Sequence, residues 1–137
     1  MEAGKELTPY KILIRENHLD YLGHVNHAAY LQIYEEARWE QLVARGYSFD
    51  QMNESGIGPI ILEVNVKYLK EILLRETITI HTQLHAIKAG KIAELHQKMV
   101  KDDGTIASYA TIVMCLLDLK KRKMVPINHQ WKILFNI

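Results

Sequence analysis

The one stretch of this sequence with a helical repeat runs from about His27 to Arg45, and from Pro59 onward the chain alternates like strand. Tyr30, Ile33, Tyr34, Ala37 and Ala44 fall on one side at 3.6-residue spacing. Asn26 is placed to cap the start and Gly46 to stop the end. Glu35, Glu36 and Glu40 supply acidic charge, with Arg38 and Arg45 nearer the C-terminal end, as the helix dipole prefers. Leu31, Trp39, Leu42 and Val43 form a second apolar strip. We read it as packing under a loop or against another subunit, with a substrate-lining role as the lesser alternative.

Ahead of this helix a short strand is expected near Tyr10 to Glu16. The stretch Tyr47 to Gly58 reads as loop with room for a short helical turn. Beyond Pro59, Ile60, Leu62, Val64, Val66 and Tyr68 alternate with more polar neighbours. Ile78, Ile80 and Leu84 do the same within Glu76 to Leu84, and Ile92 to Val100 follows. Asp102 to Gly104 is a strong hairpin signal, and Thr105 to Asp118 is the longest and most apolar strand candidate. One early helix followed by four antiparallel strands is an α+β arrangement, in which the sheet has to wrap the helix. A sheet edge and part of the helix stay uncovered, which predicts a symmetric dimer. A length of 137 residues provides for a single domain over 1–137.

Composition closes several other routes. The formal net charge is +1, and the densest basic run, Lys120 to Lys123, reads as a solvated turn. Neither gives the concentrated basic face that nucleic acid or an anionic membrane needs. The N-terminal residues lack an apolar signal region, and no apolar run approaches the ~18 residues of a membrane span, so a cytoplasmic protein is expected. The single cysteine, Cys115, lies within TIVMCLL and is expected to be a buried, unreactive thiol.

The chemistry-bearing residues concentrate just before the helix. Within ten positions the chain offers His18, Asp20, Gly23, His24, Asn26 and His27. Free amides in a first helical turn can hold a developing oxyanion. A nearby carboxylate can activate water or attack a carbonyl, and an imidazole can orient either partner. The plainer alternative is that Asp20 and Asn26 satisfy loop and cap hydrogen bonds while the histidines are surface residues.

The string DYLGHVNHAAYLQIYEEAR resembles the D-x-x-GHVNN-x-x-Y…E-x-AR signature of the 4-hydroxybenzoyl-CoA thioesterase-like hotdog proteins. VKYLKEILLRETITI and ATIVMCLLDLKKRKMVPIN resemble that family's later strands, in the same order. The resemblance implies a hotdog fold, a sheet wrapped around one central helix, and a dimer or tetramer with its active site between subunits. It implies hydrolysis of a small or medium acyl-CoA, or of an acyl carrier protein thioester, with no cofactor. Asp20 takes the place of the family's catalytic aspartate, as base or nucleophile, with His24 and His27 as catalytic helpers. Gly23, Val25, Asn26 and Tyr30 take the place of substrate-binding residues. Three departures stand out: His18 replaces the first acid of a D-x-D pair, His27 replaces the second asparagine of HVNN, and Leu22 replaces an asparagine of the plant acyl-ACP enzymes.

Two other functions fit less well. An enoyl-CoA hydratase of the same fold resembles a GDxNPxH pattern that is missing here, and a non-catalytic acyl-thioester-binding module would have no use for Asp20 in its GHVN setting. No metal site is expected. His18, His24 and His27 are close in sequence but lack an HExxH, a cysteine pair or an acidic cluster. His81 and His85, four apart on a strand, stand on the order of 13 Å from each other. Glu63 and Asn65 read as a buried polar contact or, less readily, as second active-site groups. Lys67, Lys70, Arg75, Lys88 and Lys91 are scattered candidates for the phosphates of coenzyme A.

Overall fold

A computed structural model of the protein describes residues 3–137. A short strand β1 (Tyr10–Leu13) and a single turn of 3-10 helix (Glu16–His18) lead into the long helix α1 (His27–Val43). A second helix, α2 (Phe49–Ser55), precedes four long strands: β2 (Ile57–Tyr68), β3 (Thr77–Lys88), β4 (Ile92–Lys101) and β5 (Ile106–Asp118). The chain ends with a short β6 (Lys123–Val125) and helix α3 (His129–Leu134). The sheet is antiparallel throughout, in the order β1-β3-β4-β5-β2, with β6 beside the end of β5.

This is the expected hotdog arrangement. Ala29, Tyr30, Ile33, Tyr34 and Ala37 turn the buried side of α1 onto the sheet. The sheet answers with Ile78, Ile80, Leu84, Leu95, Met99 and Ile112, all in one buried cluster. Buried polar groups fix the helix in place. Gln97 donates from Nε2 to the Tyr34 carbonyl (3.1 Å) and the Thr82 hydroxyl (3.0 Å), and its Oε1 accepts from Arg38 (2.8 Å). The Tyr34 hydroxyl donates to Ser108 Oγ at 2.8 Å. Each buried polar atom so paired avoids the cost of a lost water contact. Register shifts between Ile61 and Glu63, Leu84 and Ala86, and Met99 and Val100 bend the long strands around the helix.

Several local expectations change. α1 stops at Val43, so Ala44 is a C-cap residue exposed to solvent and not part of the buried stripe. The stretch after Tyr47 is a helix of seven residues, capped by the Ser48 side chain accepting from Gln51. The C-terminus, expected as strand, folds into α3. Asn128 caps it, and Trp131 buries its ring against Tyr47 and Phe135. In β2, Ile60, Leu62 and Val64 are 37%, 49% and 38% exposed. The bulge at Leu62 breaks their alternation, and β2 is the outermost strand on its side of the sheet. Cys115 is buried as expected, and burial pushes its thiol up. Among the described residues no helix is long and apolar enough to cross a membrane.

Candidate active site

The loop from His18 to Asn26 is held together by its own backbone. Leu19 and Val25 pair across it, the Asp20 amide donates to the His24 carbonyl (2.8 Å), and the Asn26 amide donates to the His18 carbonyl (2.8 Å). The turn between them needs Gly23, whose φ of +83° lies where a side chain is strained. The Asp20 side chain closes the turn from within: its Oδ1 accepts from the amides of Leu22 (2.8 Å) and His24 (3.3 Å). Its other oxygen takes no hydrogen bond among the described residues. A second anchor comes from the β2–β3 connection, where Val25 donates to the Ile72 carbonyl (2.9 Å) and His24 pairs with Leu73.

Asn26 then starts α1. Its side chain accepts from Ala28 at 2.9 Å and its carbonyl accepts from Ala29 at 2.9 Å. The His27 amide is left without a protein acceptor among the described residues, at the positive end of a 17-residue helix. The Tyr68 hydroxyl donates to the His27 carbonyl (3.0 Å), and the Tyr68 ring meets Tyr30 edge-on at 4.8 Å.

Asp20, His24, Val25, His27 and Tyr30 line one cleft of about 260 Å³ with Tyr68, Leu69, Lys70 and Glu71 from the end of β2. The loop and helix start thus bring five of the seven sequence-derived candidates together. Gly23 and Asn26 stand just behind, as the turn and the cap. Burial first, then the charges of Tyr68, Asp20 and Glu76, push the Tyr30 phenol up to about 12, so it stays a neutral wall of the cleft. His18 is elsewhere, accepting from the Arg15 amide at 2.9 Å.

Sequence reasoning missed Glu71, whose carboxylate lies 2.9 Å from His24 Nε2 and orients the ring. No local pattern marks it, because it reaches the loop only through the Val25–Ile72 and His24–Leu73 pairings. Of the scattered basic residues, Lys70 reaches the cleft, whereas Arg75 is paired with Glu16 at 2.7 Å. Asn65 and Lys67 line a separate groove on the outer face of the sheet, and Glu63 stands opposite Val113.

Residues 14–132 match the family model described as the thioesterase-like superfamily. The chain belongs to that superfamily. It is 33% identical over 118 residues to the long-chain acyl-CoA thioesterase FadM of Escherichia coli (strain K12), covering 85% of this chain and 88% of that protein. The crystal structure of YbaW, a probable thioesterase from Escherichia coli, superposes with a TM-score of 0.82 at 30% identity, over 93% of this chain and 96% of that one. A Staphylococcus aureus protein, SAV2348, solved in complex with CoA, shares the fold with a TM-score of 0.87 at 20% identity, over 96% of this chain and 82% of its own. A thioester hydrolase is the enzyme class that this membership gives.

Proposed function

We propose that the chain hydrolyses acyl-CoA thioesters at the Asp20 cleft. The observation that carries this reading is the pairing of a carboxylate oxygen free of hydrogen bonds with a helix-start amide, His27 N–H, in one cleft. The thioester carbonyl oxygen accepts from the His27 amide, which is preorganised where negative charge develops. In the general-base form, Asp20 takes a proton from water as the water oxygen bonds to the carbonyl carbon. The C–S bond then breaks, and the thiolate leaves with that proton to give free acid and coenzyme A. In the nucleophilic form, Asp20 bonds to the carbon and expels the thiolate, and water hydrolyses the resulting anhydride. His24, held by Glu71, orients the water or the leaving thiol. No cofactor enters either form.

The FadM likeness puts long acyl chains first among substrates. Leu22, Leu69 and Leu73, all at least 40% exposed at the cleft or its loop, supply apolar surface for such a chain. The CoA carrier is favoured over acyl carrier protein by the CoA-bound relative. Lys70, at the cleft, is our assignment for a phosphate contact.

The same reading includes a homodimer. Ile60, Ile61, Leu62 and Val64 are all exposed on an edge strand, an arrangement that proteins ordinarily cover. Pairing two copies along β2 would cover it and lay the partner beside the cleft, since β2 ends at Tyr68. Further association of two dimers gives the tetramer alternative. Thiol release measured over short, long and aromatic acyl-CoAs and one acyl carrier protein thioester tests the activity. Turnover of at least one long-chain acyl-CoA is expected. Binding without thiol release across the panel would favour the non-catalytic module.

A further inference from the structure

The face of the sheet turned away from α1 carries three ligand-type side chains that the cleft does not use. Glu94 and His96 are two apart on β4, so they project from one face. Their neighbours Ala93, Leu95 and Gln97 are buried on the helix side. The third, His85, comes from β3 at an irregular place. Leu84 pairs with Leu95 and Ala86 with Glu94, so His85 is the extra residue of a β-bulge, a feature that re-aims a side chain.

The result is a close cluster. The His85 and His96 rings stack with centroids 4.1 Å apart and 12° between their planes. His96 Nε2 lies 2.8 Å from Glu94 Oε2, and His85 Nε2 lies 3.7 Å from the same oxygen. One ligand atom from each residue falls within 4.8 Å of the other two.

Zinc bonded to nitrogen and oxygen at about 2.0–2.2 Å in a tetrahedron needs donor atoms about 3.4 Å apart. The two separations from Glu94 bracket that value. The rings lie nearly parallel and must turn to converge. Their side chains are 53% and 47% exposed, so they can turn without disturbing the core. Glu94 is the fixed point, with a side chain only 18% exposed. Lys88 Nζ, 3.7 Å from Glu94 Oε1, is the competing cation, on a side chain 68% exposed that is free to swing away.

Two imidazoles and one carboxylate suit zinc and its late first-row neighbours, whereas magnesium and calcium prefer all-oxygen cages. We propose that His85, Glu94 and His96 form a zinc-class divalent metal site on the outer face of the sheet, with water completing the tetrahedron. The ion would tie β3 to β4 across the bulge. It would have no part in the Asp20 cleft, which lies at the start of α1.

The test uses the full chain, stripped with a chelator and dialysed, then titrated with zinc chloride by calorimetry and with cobalt(II) by visible absorption. Wild type is expected to bind one zinc per chain and to give cobalt bands of tetrahedral intensity. Loss of even an outer-shell partner typically weakens metal affinity roughly 10–100-fold, so His85→Ala and His96→Ala should each weaken zinc by at least about tenfold. Both variants should keep the metal-free melting temperature and the thiol-release rate of wild type. Lys88→Ala should tighten binding. His96→Gln, which keeps a polar side chain on the same face, should lose zinc as His96→Ala does and guards against misfolding of the alanine variant. The proposal fails if wild type binds no stoichiometric zinc. It fails equally if the His85→Ala/His96→Ala double variant binds zinc like wild type, or if His24→Ala is the change that removes it.

Discussion

Asp20 uses one carboxylate oxygen to hold its own loop and leaves the other without a hydrogen bond among the described residues, so its substitutions separate folding from chemistry. Asparagine keeps an Oδ1 acceptor for the amides of Leu22 and His24, whereas alanine leaves both unpaired. Asp20→Ala is therefore expected to be less stable than Asp20→Asn by about 1 kcal/mol, measured by chemical denaturation. Glu71→Ala frees the His24 ring and should lower kcat/KM by roughly tenfold, less than the roughly 100-fold or more of a direct acid–base group because Glu71 acts only through His24. Unchanged kinetics would reduce the pair to a surface contact. Asp20, His24 and His27 were legible in the sequence because they share one short loop ahead of a helix. Glu71 was not, because only the pairing of distant backbone segments brings it there. The same blindness applies on the outer face. His85 meets His96 through strand register, while the sequence suggested only the comparison with His81, which instead pairs with Glu6.

Among the elements, α1 was the most legible, since a buried stripe and an Asn cap are local signals, and both its start and its N-cap are as expected although it ends at Val43. Asn26→Ala should cost about 1 kcal/mol in stability, read as a lower melting temperature. It should also raise KM or lower kcat, because the helix start would no longer hold the His27 amide in place. α3 was not legible: six residues with only Trp131 and Leu134 buried give too little repeat to detect. β2 was read as strand correctly, but neither the bulge at Leu62 nor its place at the sheet edge is written in local composition.

At the scale of the whole molecule, the homodimer proposed to form along β2 predicts that Val64→Lys will halve the mass seen in light scattering, with activity falling alongside. A monomeric wild type would contradict this. Alkaline pH tests the core. Burial raises the Tyr30 phenol to about 12 and also raises Tyr34. A folded value above the unfolded one, about 10, gives stability that is whole below pH 10 and lost as pH rises through the folded value. About 2–3 kcal/mol from Tyr30 should therefore disappear between pH 10 and 12, and Tyr30→Phe should flatten that slope. The central claim, that the Asp20 cleft hydrolyses thioesters, is tested most directly by coenzyme A release from a saturating long-chain acyl-CoA. Wild type and Asp20→Asn should have the same melting temperature, with the variant slower by at least about 100-fold. Equal rates in the two proteins would contradict it.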